Sequence, residues 1–142
     1  MKTVLAKTNE IPAQWHIVDA QGKVLGRLAS AVAQLLIGKG KVLYSPHQLC
    51  GDFVVIINAD KVRVTGRKLE QKVYYRHSGY PGGIRSRTAG ELMATKPADV
   101  VRFAIKGMLP KNRLGMAMLR RVKIYAGSDH PHEAQIPKPL EL

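Results

Sequence analysis

The sequence has one cysteine, Cys50, one tryptophan, two phenylalanines and only 10 acidic residues among 142. A lone thiol forms no internal disulfide, so nothing in the chain calls for an oxidising compartment. No apolar run approaches the roughly 18 residues of a spanning helix, and no basic amphipathic helix dominates, so a membrane is not the expected partner. The opening Met1-Lys2-Thr3-Val4-Leu5-Ala6-Lys7 lacks the apolar stretch and cleavage pattern of an export signal. Internal repeats and low-complexity tracts are also missing. Nucleotide-enzyme motifs fail on spacing. Gly22-Lys23-Val24-Leu25-Gly26-Arg27 holds three residues between its glycines where a P-loop needs four, and Gly79 to Gly83 has the wrong step as well. No G-x-G-x-x-G follows a strand. His47 with Cys50, and His130 with His132, place borderline metal ligands close together, but a structural zinc site requires paired Cys or His at both ends. Neither metal nor cofactor is expected, and with no matched carboxylate pair and only a turn-like Ser128-Asp129-His130, neither is catalysis on a small-molecule substrate.

What the chain has is apolar mass and positive charge. A 45% hydrophobic fraction over 142 residues is enough for one domain spanning 1–142 with a sizeable core, and with extended termini at about 1–13 and 128–142. Against the 10 acids stand 23 Lys and Arg, a formal charge of +13, and such a self-repelling surface is best accommodated beside a polyanion. The charge is concentrated. Residues 61–123 hold 16 of the 23 basic residues and 3 of the acids, Glu70, Glu91 and Asp99. Four tyrosines, Tyr74, Tyr75, Tyr80 and Tyr125, are interleaved or adjacent, and aromatic rings can stack on unpaired bases while arginine forks grip phosphate.

Trp15-His16-Ile17-Val18-Asp19 has the aromatic and β-branched character of a strand, closed by a turn at Gln21-Gly22. From Leu25, apolar residues at 25, 28, 29, 32, 35 and 36 follow helical spacing, and Gly38 is placed to end the helix in a left-handed conformation, ahead of a basic loop at Lys39-Gly40-Lys41. Phe53-Val54-Val55-Ile56-Ile57 is apolar without alternation, which predicts a central strand covered on both faces. A further β-like run, Val73-Tyr74-Tyr75-Arg76-His77, leads into the glycine-rich loop 78–83. Thr88-Ala89-Gly90-Glu91 has capping-box spacing for a helix to about Thr95, and Pro97 suits the first turn of another that Gly107 and Pro110 end. Val122 to Ala126 reads as a last strand, and prolines at 131, 137 and 139 make the tail extended. Strands and helices in this order predict an α/β sandwich with long loops.

Lys106-Gly107-Met108-Leu109-Pro110, Leu114-Gly115, Ala117-Met118 and Val122-Lys123-Ile124-Tyr125-Ala126-Gly127 closely resemble the signature of the bacterial ribosomal protein L-thirteen family of the large subunit. Val18-Asp19-Ala20, Leu25-Gly26-Arg27-Leu28-Ala29, Gly51-Asp52, Asn58-Ala59, Val64-Thr65-Gly66, Lys72-Val73-Tyr74-Tyr75 and His130-Pro131-His132 extend the likeness, in order, over nearly the whole chain. The resemblance implies a three-layer α/β/α fold with a small, largely parallel four-stranded sheet and basic loop extensions. It further implies a structural, non-enzymatic place in the large subunit of the cytoplasmic ribosome, bound to large-subunit ribosomal RNA beside neighbouring ribosomal proteins, and a role in early subunit assembly and translation.

The expected mechanism is a clamp whose basic loops neutralise phosphates of RNA helices brought close together. Its expected contacts are Lys39, Lys41, His47, Arg63, Arg67, Lys68, Lys72, Arg76, Arg85, Arg87, Lys106, Lys111, Arg113, Arg120, Arg121 and Lys123. Gly79, Gly82 and Gly83 would let backbone approach RNA, or else shape a turn. A regulator of messenger RNA or of a DNA operator would use the same charged face, and an enzyme acting on RNA or nucleotides is the remaining alternative.

Overall fold

A computed structural model describes residues 6–142, so residues 1–5, with most of the segment inspected for an export signal, lie outside the described residues. Strands β1 (Trp15–Asp19) and β2 (Phe53–Ile57) pair in parallel, from Trp15 opposite Phe53 to Asp19 opposite Ile57. Parallel neighbours need a crossover, which here runs through α1 (Leu25–Ile37). Leu28, Ala29, Val32, Ala33 and Leu36 form the buried stripe of α1, and Gly38 ends it at φ 83° with its N–H on the Gln34 carbonyl. As the unbroken apolar run predicts, Val54, Val55 and Ile56 of β2 are all buried.

Beyond β2 come α2 (Lys68–Gln71), β3 (Val73–His77), β4 (Ile84–Thr88) and α3 (Ala89–Thr95). The capping box is present: the Glu91 N–H donates to Thr88 Oγ1 and the Thr88 N–H to the Glu91 carboxylate, each at 3.3 Å. Helix α4 (Pro97–Met108) buries Val100, Val101 and Ile105, and α5 (Arg113–Arg120) follows a sharp corner capped by Asn112, whose side-chain oxygen accepts from the Gly115 N–H at 2.8 Å. Strand β5 (Val122–Ile124) then pairs with β2, and β6 (Lys138–Pro139) with β1, giving a four-stranded, wholly parallel sheet in the order β5-β2-β1-β6.

One face of this sheet, with Val18, Val54, Ile56, Val122 and Ile124, packs on α1, α4 and α5 through Leu28, Leu36, Val101, Ile105 and Met118. On the opposite face Trp15 stacks on Phe53 with centroids 4.5 Å apart. His132 lies beside that pair, 5.3 Å from the Trp15 ring and 2.7 Å from the Tyr125 hydroxyl, so the tail runs along the face opposite the helices, consistent with a three-layer α/β/α arrangement.

Four features depart from the sequence reading. The run at 73–77 does not enter the main sheet; it pairs with β4 as a separate antiparallel ribbon, and the sheet takes its fourth strand from the extended tail. Strand β4 was not anticipated, because Ile84-Arg85-Ser86-Arg87 is exposed throughout and has no apolar alternation to read. Helix α5 was also missed, since Pro110, Asn112 and Gly115 mark a break when seen without their geometry. The last strand is shorter than expected, ending at Ile124, although the Tyr125 N–H still donates to the Ile56 carbonyl.

Candidate nucleic-acid interface

Strands β3 and β4 leave the body of the molecule as a ribbon, with Val73 and Tyr74 half-buried at its root and Tyr75, Arg76, His77, Ile84, Arg85, Ser86 and Arg87 exposed. Register sorts these residues onto two faces. Tyr74 lies opposite Arg87 and Arg76 opposite Arg85, so one face carries three guanidinium groups, while Tyr75, His77, Ile84 and Ser86 occupy the other. The only ion pairs among the described residues involve Asp52, far from this ribbon in sequence, so no carboxylate neutralises Arg76, Arg85 or Arg87. Like charges directly across a strand pair are destabilising. The arrangement is relieved when an anion lies over it.

At the ribbon's tip the Ser78 N–H donates to the Gly83 carbonyl at 3.0 Å and the Gly83 N–H to the Tyr80 carbonyl at 2.9 Å. Gly79 (φ 92°) and Gly82 (φ 69°) adopt left-handed backbone, and a Cβ on Gly83 would overlap the Ser78 hydroxyl, so all three glycines shape this turn. Arg67 and Lys68 stand at the start of α2, below the ribbon, and Lys72 lies 5.3 Å from the Tyr74 ring centroid. Arg63 is exposed and bridges to Val24 through its backbone. Lys106, Lys111 and Arg113 gather at the corner between α4 and α5, and Arg120 is exposed at the end of α5. Lys39 and His47 are exposed on the loop after α1.

Two expected contacts are engaged inside the protein instead. Lys41 Nζ lies 2.6 Å from Asp52 Oδ1 and donates to the Pro12 carbonyl at 2.6 Å. Arg121 donates to the Gly51 carbonyl and lays its guanidinium 4.9 Å from the Phe53 ring, and burial lowers its pKa against the opposing pull of Asp52. Lys123 is half-buried on the Trp15 and Phe53 side of the sheet. The centre of this network is Asp52, which no charge pattern singled out. Burial opposes its charge, but the Gln14 N–H at 2.9 Å, Lys41 and His16 outweigh it and hold the carboxylate pKa below the ordinary value of 3.8. Its sequence signals are the Gly51-Asp52 step before an apolar strand and the place of that pair in the family resemblance. Adjacent arginines therefore behave differently: Arg121→Ala lowers stability by about 1 to 2 kcal/mol by removing its hydrogen bond and its packing on the Phe53 ring, while Arg120→Ala leaves the melting transition in place. Thermal unfolding of the two single variants checks this, and equal transitions would contradict it.

A family model described as Ribosomal protein L13 matches residues 13–131, most of the chain. The chain belongs to that family. It is 56% identical over 142 residues to the large ribosomal subunit protein uL13 of Syntrophus aciditrophicus, covering all of both chains. Against the uL13 of Aquifex aeolicus the identity is 56% over 142 residues, with all of this chain and 99% of that protein covered. The Thermotoga maritima uL13 is 54% identical over 141 residues, covering 99% and 95% respectively. The ribosomal protein L13 match spans the sheet strands β1, β2 and β5, the whole ribbon and the α4–α5 corner. Strand β6 lies beyond the matched span, but within the full-length likeness to the uL13 relatives. The family is one of structural ribosomal proteins, not enzymes.

Proposed function

We propose that the chain is a non-catalytic constituent of the large ribosomal subunit in the cytoplasm. It binds large-subunit ribosomal RNA, sits beside neighbouring large-subunit proteins, helps early subunit assembly and translation, and acts as a single domain over residues 1–142. The observation that carries this reading is the ribbon face of Arg76, Arg85 and Arg87, three aligned cations with no acidic partner among the described residues. Guanidinium forks match phosphate oxygens, and an A-form helix offers mainly backbone and 2′-hydroxyls to such a surface. Arg67, Lys68 and Lys72 extend the contact at the ribbon's root, and Lys106, Lys111, Arg113 and Arg120 supply a second one. Between the two, phosphates of separate RNA segments can approach with their repulsion reduced. Lys41 and Arg121 hold the scaffold that presents these groups.

Sedimentation of extract from growing cells tests the proposal. The chain is expected to travel with large subunits at low salt and to be released from them as salt is raised. A chain found free of particles, with a footprint confined to a short messenger RNA segment, would replace this reading with that of a regulator.

A further inference from the structure

Phe103 and Met116 remain 43% and 50% exposed, although α4 and α5 bury other apolar residues. Between them runs a groove of about 610 Å³ whose apolar walls include Phe103, Pro110 and Met116. Lys106, Lys111 and Arg113 also line it, and no carboxylate does. Its shape is fixed by the backbone. Asn112 caps α5 through the Gly115 N–H, and a Cβ at Gly115 would overlap the Pro110 carbonyl, so the corner closes as tightly as glycine permits. At Gly107, which also borders the groove, a Cβ would meet nothing within 4 Å, leaving the space open. A preformed apolar cleft of this size suits a flat ring-sized ligand.

The groove adjoins the ribbon. The Phe103 ring meets Tyr74 with centroids 5.4 Å apart, and Tyr74 shares its ribbon face with Arg76, Arg85 and Arg87. A polyanion lying on those arginines is therefore one aromatic contact from Phe103. We infer that the groove receives an unpaired nucleobase of the RNA held by the ribbon, with its ring against Phe103 and Met116 and its flanking phosphates on Lys106, Lys111 and Arg113. Charge selects this occupant over an apolar side chain of a neighbouring protein: a nucleotide joins a flat ring to an anion on each side, matching apolar walls beside three cations. A duplex keeps its bases stacked and paired, so the base must come from a bulge, loop or junction. The inference rests on the RNA-binding reading above.

Two hairpin RNAs test it on the full chain, alike except that one carries a single bulged fluorescent purine analogue. Base stacking of this kind gives roughly ten-fold tighter binding of the bulged hairpin. Gly107→Leu fills the groove from a position with open space, and is expected to abolish that preference while leaving the paired hairpin bound as before. Phe103→Leu, which keeps apolar volume but removes the ring, should reduce both the preference and the fluorescence change of the bulged base. Equal binding of the two hairpins by the native chain, or a preference untouched by Gly107→Leu, overturns the inference and leaves the groove to a protein segment. Failure to bind either hairpin would instead overturn the RNA-binding reading itself.

Discussion

Affinity for structured large-subunit RNA is expected to fall about a thousand-fold or more between roughly 50 and 200 mM salt, the response when some six to ten phosphates are neutralised. Replacing Arg76, Arg85 and Arg87 together by alanine should remove roughly three from the slope of log affinity against log salt, one for each phosphate no longer neutralised. At a fixed low salt concentration the same variant should bind about a thousand-fold more weakly or worse, since hydrogen bonds to charged groups contribute about 1.5 to 3 kcal/mol each. Stability should move the other way. Arg76 faces Arg85 across the ribbon without a carboxylate partner, so their removal relieves repulsion and the melting transition should hold or rise. An ordinary structural surface gives the opposite pair of results, with stability lowered and the salt response unchanged. Filter binding over a salt series, with thermal melts of the same preparations, distinguishes the two.

Where the chain buries apolar residues in a regular period, the sequence was readable. Helix α1 shows its stripe at 28, 29, 32 and 36, β2 its unbroken apolar run, and α3 a capping box that needs only local spacing. The ribbon is different. Strand β4 has almost no buried side chain, so its conformation comes from hydrogen bonding to β3 rather than from a hydrophobic face, and composition records only its charge. The same limit separates useful cations from structural ones. Lys39 and Lys41 stand two residues apart on one basic loop, yet one is exposed and the other reaches a carboxylate 11 positions later. Arg120 and Arg121 are neighbours, and only the second lies over Phe53. Which cation turns inward depends on pairings between distant segments, and charge pattern carries no record of those. Tyrosines sort likewise: Tyr75 and Tyr80 are exposed, whereas Tyr74 packs on Phe103 and Tyr125 bonds His132.

The pair Gly51 and Asp52 should give the largest losses of stability, by different physical routes. A Cβ at Gly51 would overlap the Leu36 carbonyl at the end of α1, and backbone cannot yield as a flexible side chain does. Gly51→Ala is therefore expected to cost about 3 kcal/mol by forcing α1 away from β2, a melting shift of roughly 10 °C for a chain of this size. Asp52→Asn keeps the shape and an oxygen for the Gln14 N–H, but removes the charge that Lys41 and His16 face, for an expected cost of about 2 kcal/mol with the pair partly open to solvent. The acid limb carries the second signature. Because the folded carboxylate has its pKa below the ordinary 3.8, its stabilisation is complete above that value and is lost as pH falls from there through the folded pKa, where the unfolded chain binds the proton first. The native chain should lose stability across that window more steeply than Asp52→Asn, so their urea unfolding curves converge on acidification. Gly51→Ala, whose defect is steric, keeps the carboxylate and stays below the native curve at every pH. Parallel curves for native protein and Asp52→Asn down to the acid transition would show that the charge at position 52 contributes nothing to the fold.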